Sequence, residues 1–133
     1  MIKTLQIQTG ARTGFIDITD KVREVVHQSG AQEGICYLFV PHTTAAITIN
    51  ENADPAVHRD IVMELNKVIP FDDPYTHIEG NSAAHIKASI IGGSEVVFIE
   101  SGGLVLGTWQ GIYFCEFDGP RKRKLHVKVV ASH

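Results

Sequence analysis

Nine consecutive residues, His77-Ile78-Glu79-Gly80-Asn81-Ser82-Ala83-Ala84-His85, put two imidazoles, a carboxylate and an amide beside a glycine. If residues 77–79 are extended, His77 and Glu79 project to the same side. Asn81 or Ser82 caps the helix that follows. Ala83, Ile86 and Ile90 form its buried stripe, and His85 lies off that stripe. Helical side chains lean toward the N-terminus, so His85 aims back at His77, Glu79 and the free N–H groups of the first turn. Such a terminus attracts an anion, and a neutral imidazole binds a metal or accepts a proton. Taken singly, each side chain is an ordinary surface residue beside a cap. Together they point to a site.

His42 is the second candidate. In an extended chain it is in phase with Thr44, Thr48 and Asn50, opposite Ala45, Ile47 and Ile49. Alone, that polar stripe is the solvent side of a sheet. Beside His77 and His85 it makes a three-histidine metal site, since zinc commonly takes three protein ligands and leaves one position open. Glu51 and Asp54 flank the same corner, and Asp54 has a sufficient task as a helix cap.

The third candidate is Ser101-Gly102-Gly103 followed by Gly107-Thr108-Trp109-Gln110. Glycines let backbone N–H groups approach a ligand, and Thr108 and Gln110 add polar contacts. No lysine follows as it would in a nucleotide-triphosphate loop, and turn glycines between strands explain the pattern equally well. Trp109, the single tryptophan, either stacks on a flat ring or belongs to the core. Glu116 and Asp118 are in phase with Gln110, so they line a pocket or an interface. Arg121-Lys122-Arg123-Lys124 is a solvated hairpin end, with Arg121 its best anion contact. His27 and His58 fall on exposed helix positions, His126 within a strand and His133 at the end, and these four are background.

The elements that must position these groups follow from periodicity. Residues 2–8 alternate as a strand and form a hairpin with a second strand at Phe15-Ile16-Asp17-Ile18. Thr19 or Asp20 caps a helix that stops at Gly30. Gly34 to Val40 is a buried strand and Thr44 to Asn50 an alternating one. Asp54-Pro55 starts a helix whose stripe is Val57, Ile61, Leu65 and Val68, ending before Pro70. A polar loop covers 70–80, and the third helix runs to Gly92-Gly93. Strands follow at Glu95 to Glu100, within Leu104 to Phe117, and at Leu125 to Ala131. This is an α+β chain with about three helices on a mixed, largely antiparallel sheet or sandwich.

The 133 residues suit one domain. Hydrophobic residues make up 44% and charged residues 20%, which excludes a disordered chain. A net charge of −3 gives no reason to expect nucleic acid or an anionic membrane as partner. No apolar run reaches membrane-spanning length, and the first residues alternate where a signal peptide would be continuously apolar, so the expected location is cytoplasmic. Cys36 and Cys115 are expected as two buried, reduced thiols.

Taken in order, His42-Thr43-Thr44-Ala45, Asn50-Glu51-Asn52-Ala53-Asp54-Pro55, His77-Ile78-Glu79-Gly80-Asn81, Ala84-His85-Ile86, Gly107-Thr108-Trp109-Gln110 and Asp118-Gly119-Pro120-Arg121 resemble the YjbQ-type family over nearly the whole chain. Ala56 departs from the aspartate that the family often carries there. The resemblance implies a compact α+β homotrimer whose histidines and acids hold a divalent ion, magnesium or zinc. It also implies a thiamine-phosphate synthase activity, possessed as a secondary one, that joins a pyrimidine diphosphate to a thiazole phosphate. On that basis His42, His77 and His85 are metal ligands or proton-transfer groups, and His85 with Glu79 or Glu116 is catalytic. Asn81 at the helix N-terminus and Arg121 would cradle phosphate, with Thr108, Trp109, Gln110 and Asp118 contacting substrate. Two other readings stand beside it: a metal-dependent hydrolase on the same three histidines, and a trimeric small-molecule-binding protein without this activity.

Overall fold

The computed structural model describes residues 1–132, and His133 lies outside the described residues. The order is β1 (Ile2–Gln8), β2 (Gly14–Asp17), α1 (Thr19–Ser29), β3 (Gly34–Phe39), β4 (Ala45–Glu51), α2 (Pro55–Val68) and α3 (Ser82–Ile91). It continues with β5 (Ser94–Glu100), β6 (Gly103–Leu104), β7 (Gln110–Glu116) and β8 (Lys122–Ala131). One sheet runs β1-β8-β3-β5-β6 and the other β2-β7-β4. Where the sequence allows a mixed sheet, every pairing among the described residues is antiparallel.

The expected hairpin between the first two strands does not form. β1 pairs with β8 and β2 with β7, in different sheets. Two of the chain's six crossings between the sheets are those from β1 to β2 and from β7 to β8. The two crossings are stitched together by Thr9 N–H to Arg121 O (3.0 Å) and Gly119 N–H to Arg12 O (3.0 Å). Gly119 is required there, because a Cβ would stand 2.4 Å from Ala11 O.

The sheets face one another across a single apolar core. Ile7, Leu38, Val97, Leu125 and Val127 come from the larger sheet and Ile47, Ile112 and Phe114 from the smaller, with Val22, Val25 and Val26 of α1 closing the side. A second cluster covers the far face of the smaller sheet: Ala46, Cys115 and Phe117 under Ala84 and Ala88 of α3, with Leu65 of α2 against them. The smaller sheet is therefore covered on both faces, and Thr44, expected on a solvent stripe, is buried. The larger sheet is covered on one face only. Tyr37, Phe39, Val96, Phe98 and Val130 stand exposed on the other, in register across three adjacent strands, and Phe98 is 64% exposed. The strand read as fully buried at Gly34 to Val40 is thus buried on one side.

Local signals explain the helix ends. Asp54 caps α2, accepting from Ala56 N–H at 2.9 Å, with Pro55 in the first turn. Gly30 ends α1 in the left-handed region, φ 73°. The α1 cap differs from expectation: Ile18 holds the N-cap position, and Asp17 Oδ1 accepts from Thr19 N–H and Thr19 Oγ1–H. Two helix stripes also differ. In α2, Val68 is exposed and Ile69 turns inward instead. In α3 the buried residues are Ala83, Ala84, Lys87 and Ala88, while Ile86 and Ile90 are exposed. Small side chains let α3 approach the sheet closely, and the large isoleucines are left outside.

Candidate functional site

The loop at 70–80 returns the chain to the start of α3, and this brings His77 to His85. Their rings meet edge to face with centroids 5.5 Å apart. His77 Nε2 stands 3.9 Å from Glu79 Oε2, too far for a hydrogen bond. His77 and His85 open on a surface cleft of about 430 Å³ lined also by Tyr75, Thr76, Ser82 and Ile86. The juxtaposition read from the nine-residue run is present.

His42 is not brought to this pair to complete a metal site. Among the described residues, no group of three or more His, Cys, Asp or Glu side chains is placed to hold a metal ion. His42 Nε2 instead accepts the Lys124 N–H at 2.9 Å. Burial, then the nearby Arg123 charge, lowers its pKa. The lone pair that would ligate is occupied by a backbone amide. Within one subunit, then, the described residues do not gather His42, His77 and His85 around an ion.

Glu116, expected among the catalytic groups, is an anchor of the fold. It is 1% exposed and Arg123 is 3% exposed. Arg123 Nε donates to Glu116 Oε1 at 2.9 Å, and its Nη2 donates to Oε2. Thr9 Oγ1–H (2.8 Å) and the N–H groups of Phe117 (3.1 Å) and Asp118 (3.0 Å) fill the remaining acceptor positions. Burial alone would raise the carboxyl pKa, but the hydrogen bonds from Arg123, Asp118 and Thr9 outweigh it and hold the pKa low. Arg123 also donates to Thr44 Oγ1 at 2.8 Å. It is thus no part of a solvated hairpin end.

The phosphate cradle expected from Asn81 and Arg121 contains a carboxylate. Asn81 Nδ2 donates to Asp118 Oδ2 at 2.9 Å, and Arg121 Nη2 approaches the same oxygen at 3.2 Å. Asn81 makes no side-chain cap, and its Oδ1 is buried without a partner. An anion there competes with Asp118 for both donors.

Thr108, Trp109 and Gln110 lie elsewhere. Asn52 ties their turn down through Nδ2 to Gln110 O (3.0 Å) and N–H to Trp109 O (2.9 Å). Gln110 Oε1 accepts from Gly107 N–H at 2.8 Å. Trp109 is 65% exposed, which removes the core alternative. Gln110 and Glu116 are the two ends of β7. At about 3.4 Å per residue those ends are roughly 20 Å apart. One chain cannot bring Thr108, Trp109 and Gln110 to the ligand that Asp118 and Arg121 touch.

Two groups were missed. His58, read as exposed background, packs its ring at a tilt against Tyr113 with centroids 4.1 Å apart, and its buried Nε2 has no partner among the described residues. Its signal was phase: it shares the inner face with Ile61, Val62 and Leu65. Lys87 is 0% exposed. Its signal was its helical spacing from Ala83, Ala84 and Ile91. The thiols behave as expected: Cys36 and Cys115 are free and buried. Burial raises Cys36 to about 11.

The fold and this corner define an antiparallel α+β sandwich with a histidine-lined cavity at the head of its third helix. The family model described as "UPF0047 protein YjbQ-like" matches residues 3–132, and the chain belongs to that family. It is 50% identical over 131 residues to the UPF0047 protein YugU of Bacillus subtilis, covering 98% of this chain and 99% of that protein. It is 49% identical over 132 residues to the UPF0047 protein MJ1081 of Methanocaldococcus jannaschii, covering 99% and 96%. A crystal structure of an uncharacterized conserved protein of the same family from Clostridium acetobutylicum, 55% identical, superposes with a TM-score of 0.95 over 96% of this chain and 99% of that one. These names state a family and no activity. No helix of the chain is long and apolar enough to cross a membrane.

Proposed function

We propose that this protein is a cytoplasmic, homotrimeric enzyme acting on phosphorylated heterocycles, with thiamine-phosphate synthase as the activity to assay. The observation that carries the reading is the His77–His85 pair with Glu79 beside it, opening on a cavity large enough for a small molecule. In the family-like reaction a thiazole nitrogen attacks the carbon that bears the diphosphate. The C–N bond forms as the C–O bond breaks, and pyrophosphate leaves with the electron pair. His85 or His77 would give a proton to the departing oxygen, and Glu79 would orient the donor.

Assembly is proposed on two grounds. An apolar sheet face rarely stays in water over so wide a patch, and the second subunit would cover it. The roughly 20 Å between the ends of β7 also suits a site shared by two subunits, with Trp109 and Gln110 of one facing the histidines of the next. A divalent ion, if the trimer holds one, would then draw ligands from more than one chain. The hydrolase reading uses the same three histidines and equally needs a second subunit to bring His42 to the pair.

The test is purified protein with the pyrimidine diphosphate and thiazole phosphate, with and without magnesium or zinc, following thiamine phosphate by fluorescence after oxidation. Turnover that His85→Ala abolishes, with the fold retained by circular dichroism, is the expected result. Absence of product under every metal condition sinks the synthase reading. Product formed equally by His85→Ala and His77→Ala removes the pair from the chemistry.

A further inference from the structure

Two cations meet on one aromatic ring at the junction of the 9–13 crossing, the 70–80 loop and α3. The Arg12 guanidinium carbon lies 3.6 Å from the centroid of Phe71, and Lys87 Nζ lies 4.0 Å from it. Lys87 is completely buried, and among the described residues the one hydrogen-bond acceptor its ammonium has found is neutral, Asn66 Oδ1. Among the described residues no carboxylate stands within 4.0 Å of Arg12 or Lys87, although Asp72 and Asp73 follow Phe71 directly.

A buried ammonium is normally paired with a negative group, because leaving water is costly for a charge without one. Here its neighbour is a second cation, and the two share the π face of Phe71. An oxyanion in that place would accept charge-assisted hydrogen bonds from both and would also neutralise their charge, which contact with a ring does not. Lys87 is two positions beyond His85, which on a helix is nearly the opposite side. The histidine cavity is lined by neither Arg12 nor Lys87, so this corner is separate from it.

We propose that Arg12 and Lys87 form an anion subsite that takes a phosphate group of a small molecule, with the Phe71 ring standing in the anion's place until it binds. The subsite stands whether or not the synthase reading holds. Asn66 fixes the ammonium, Arg12 closes over the anion from the solvent side, and Phe71 competes with it.

Calorimetric titration of the full-length protein with inorganic phosphate and with pyrophosphate tests this. Lys87→Met and Arg12→Gln each weaken binding at least about tenfold, the loss expected for one charge-assisted hydrogen bond. Arg12 is exposed, so Arg12→Gln remains informative where Lys87→Met fails to fold. Phe71→Ala binds at least as tightly as the unchanged protein, an outcome that a purely structural role for the ring does not produce. No binding of either anion overturns the proposal. So does binding that survives Arg12→Gln and disappears with Arg121→Gln, which assigns the anion to the Asp118 corner instead.

Discussion

Replacing Glu116 with glutamine keeps the shape of the side chain and removes its charge. The carboxylate accepts from Thr9, from Arg123 twice and from two backbone N–H groups. Arg123 donates to both carboxylate oxygens, so the new NH₂ must face a donor whichever way the amide turns. Removing one member of a buried, hydrogen-bonded pair costs about 3–5 kcal/mol, out of a total stability of about 5–15 kcal/mol. At roughly 4 °C per kcal/mol for a domain of this size, the thermal midpoint falls by about 12–20 °C. Urea unfolding followed by circular dichroism, at one fixed protein concentration, measures the loss directly. The pH dependence supplies a second readout. The folded pKa of Glu116 is depressed, so at acid pH the unfolded chain binds the extra proton. Its contribution is complete above the unfolded value near about 4.3 and is lost as pH falls through the lower folded value. Glu116→Gln therefore flattens the acid limb of the stability curve. The double change Glu116→Met with Arg123→Met is expected to cost less than either single change, because no unpaired charge remains. A Glu116→Gln loss under about 1 kcal/mol, or a double variant worse than the sum of the singles, refutes the anchor argument.

Three further outcomes are expected. His42 has a folded pKa below its ordinary value, so stability falls as pH drops from the unfolded value near about 6.5 toward the folded one, and His42→Gln removes that slope; an NMR titration at or above the ordinary value contradicts it. If the uncovered sheet face holds the proposed trimer together, Phe98→Asp puts a charge on it and yields monomer in light scattering at micromolar concentration, with circular dichroism unchanged; a trimer mass that survives the change refutes this face as the contact. Gly119→Ala drives a Cβ to 2.4 Å from Ala11 O, where backbone faces backbone, and costs about 3 kcal/mol in urea unfolding; a neutral result means that the two crossings yield more easily than their hydrogen bonds imply.

Much of the fold was legible because its signals are local. Asp54-Pro55, Gly30 and the alternation of residues 2–8 act within a turn or a strand of themselves. The wrong hairpin shows the limit. Nothing local distinguishes a tight turn at residues 9–13 from a crossing between sheets, since the deciding contacts lie beyond residue 110. The same limit divides the candidate site. His77 and His85 share one run of chain and do meet. His42 was joined to them by residue type, and its partner is a backbone amide of Lys124. Arg123 was legible and overlooked, for it alternates with Leu125 and Val127, which point into the core. The basic run around it drew attention to charge and away from period.

The three-stranded sheet also sets how the molecule loosens. β7 is hydrogen-bonded to a strand on each side and covered on each face. Its amides can trade hydrogen with solvent only when the whole domain opens, whereas those of the 70–80 loop need only a local excursion. Deuterium uptake should therefore separate the two by orders of magnitude in time. A ligand that settles the loop would slow its uptake while leaving that of Ile112 to Cys115 unchanged.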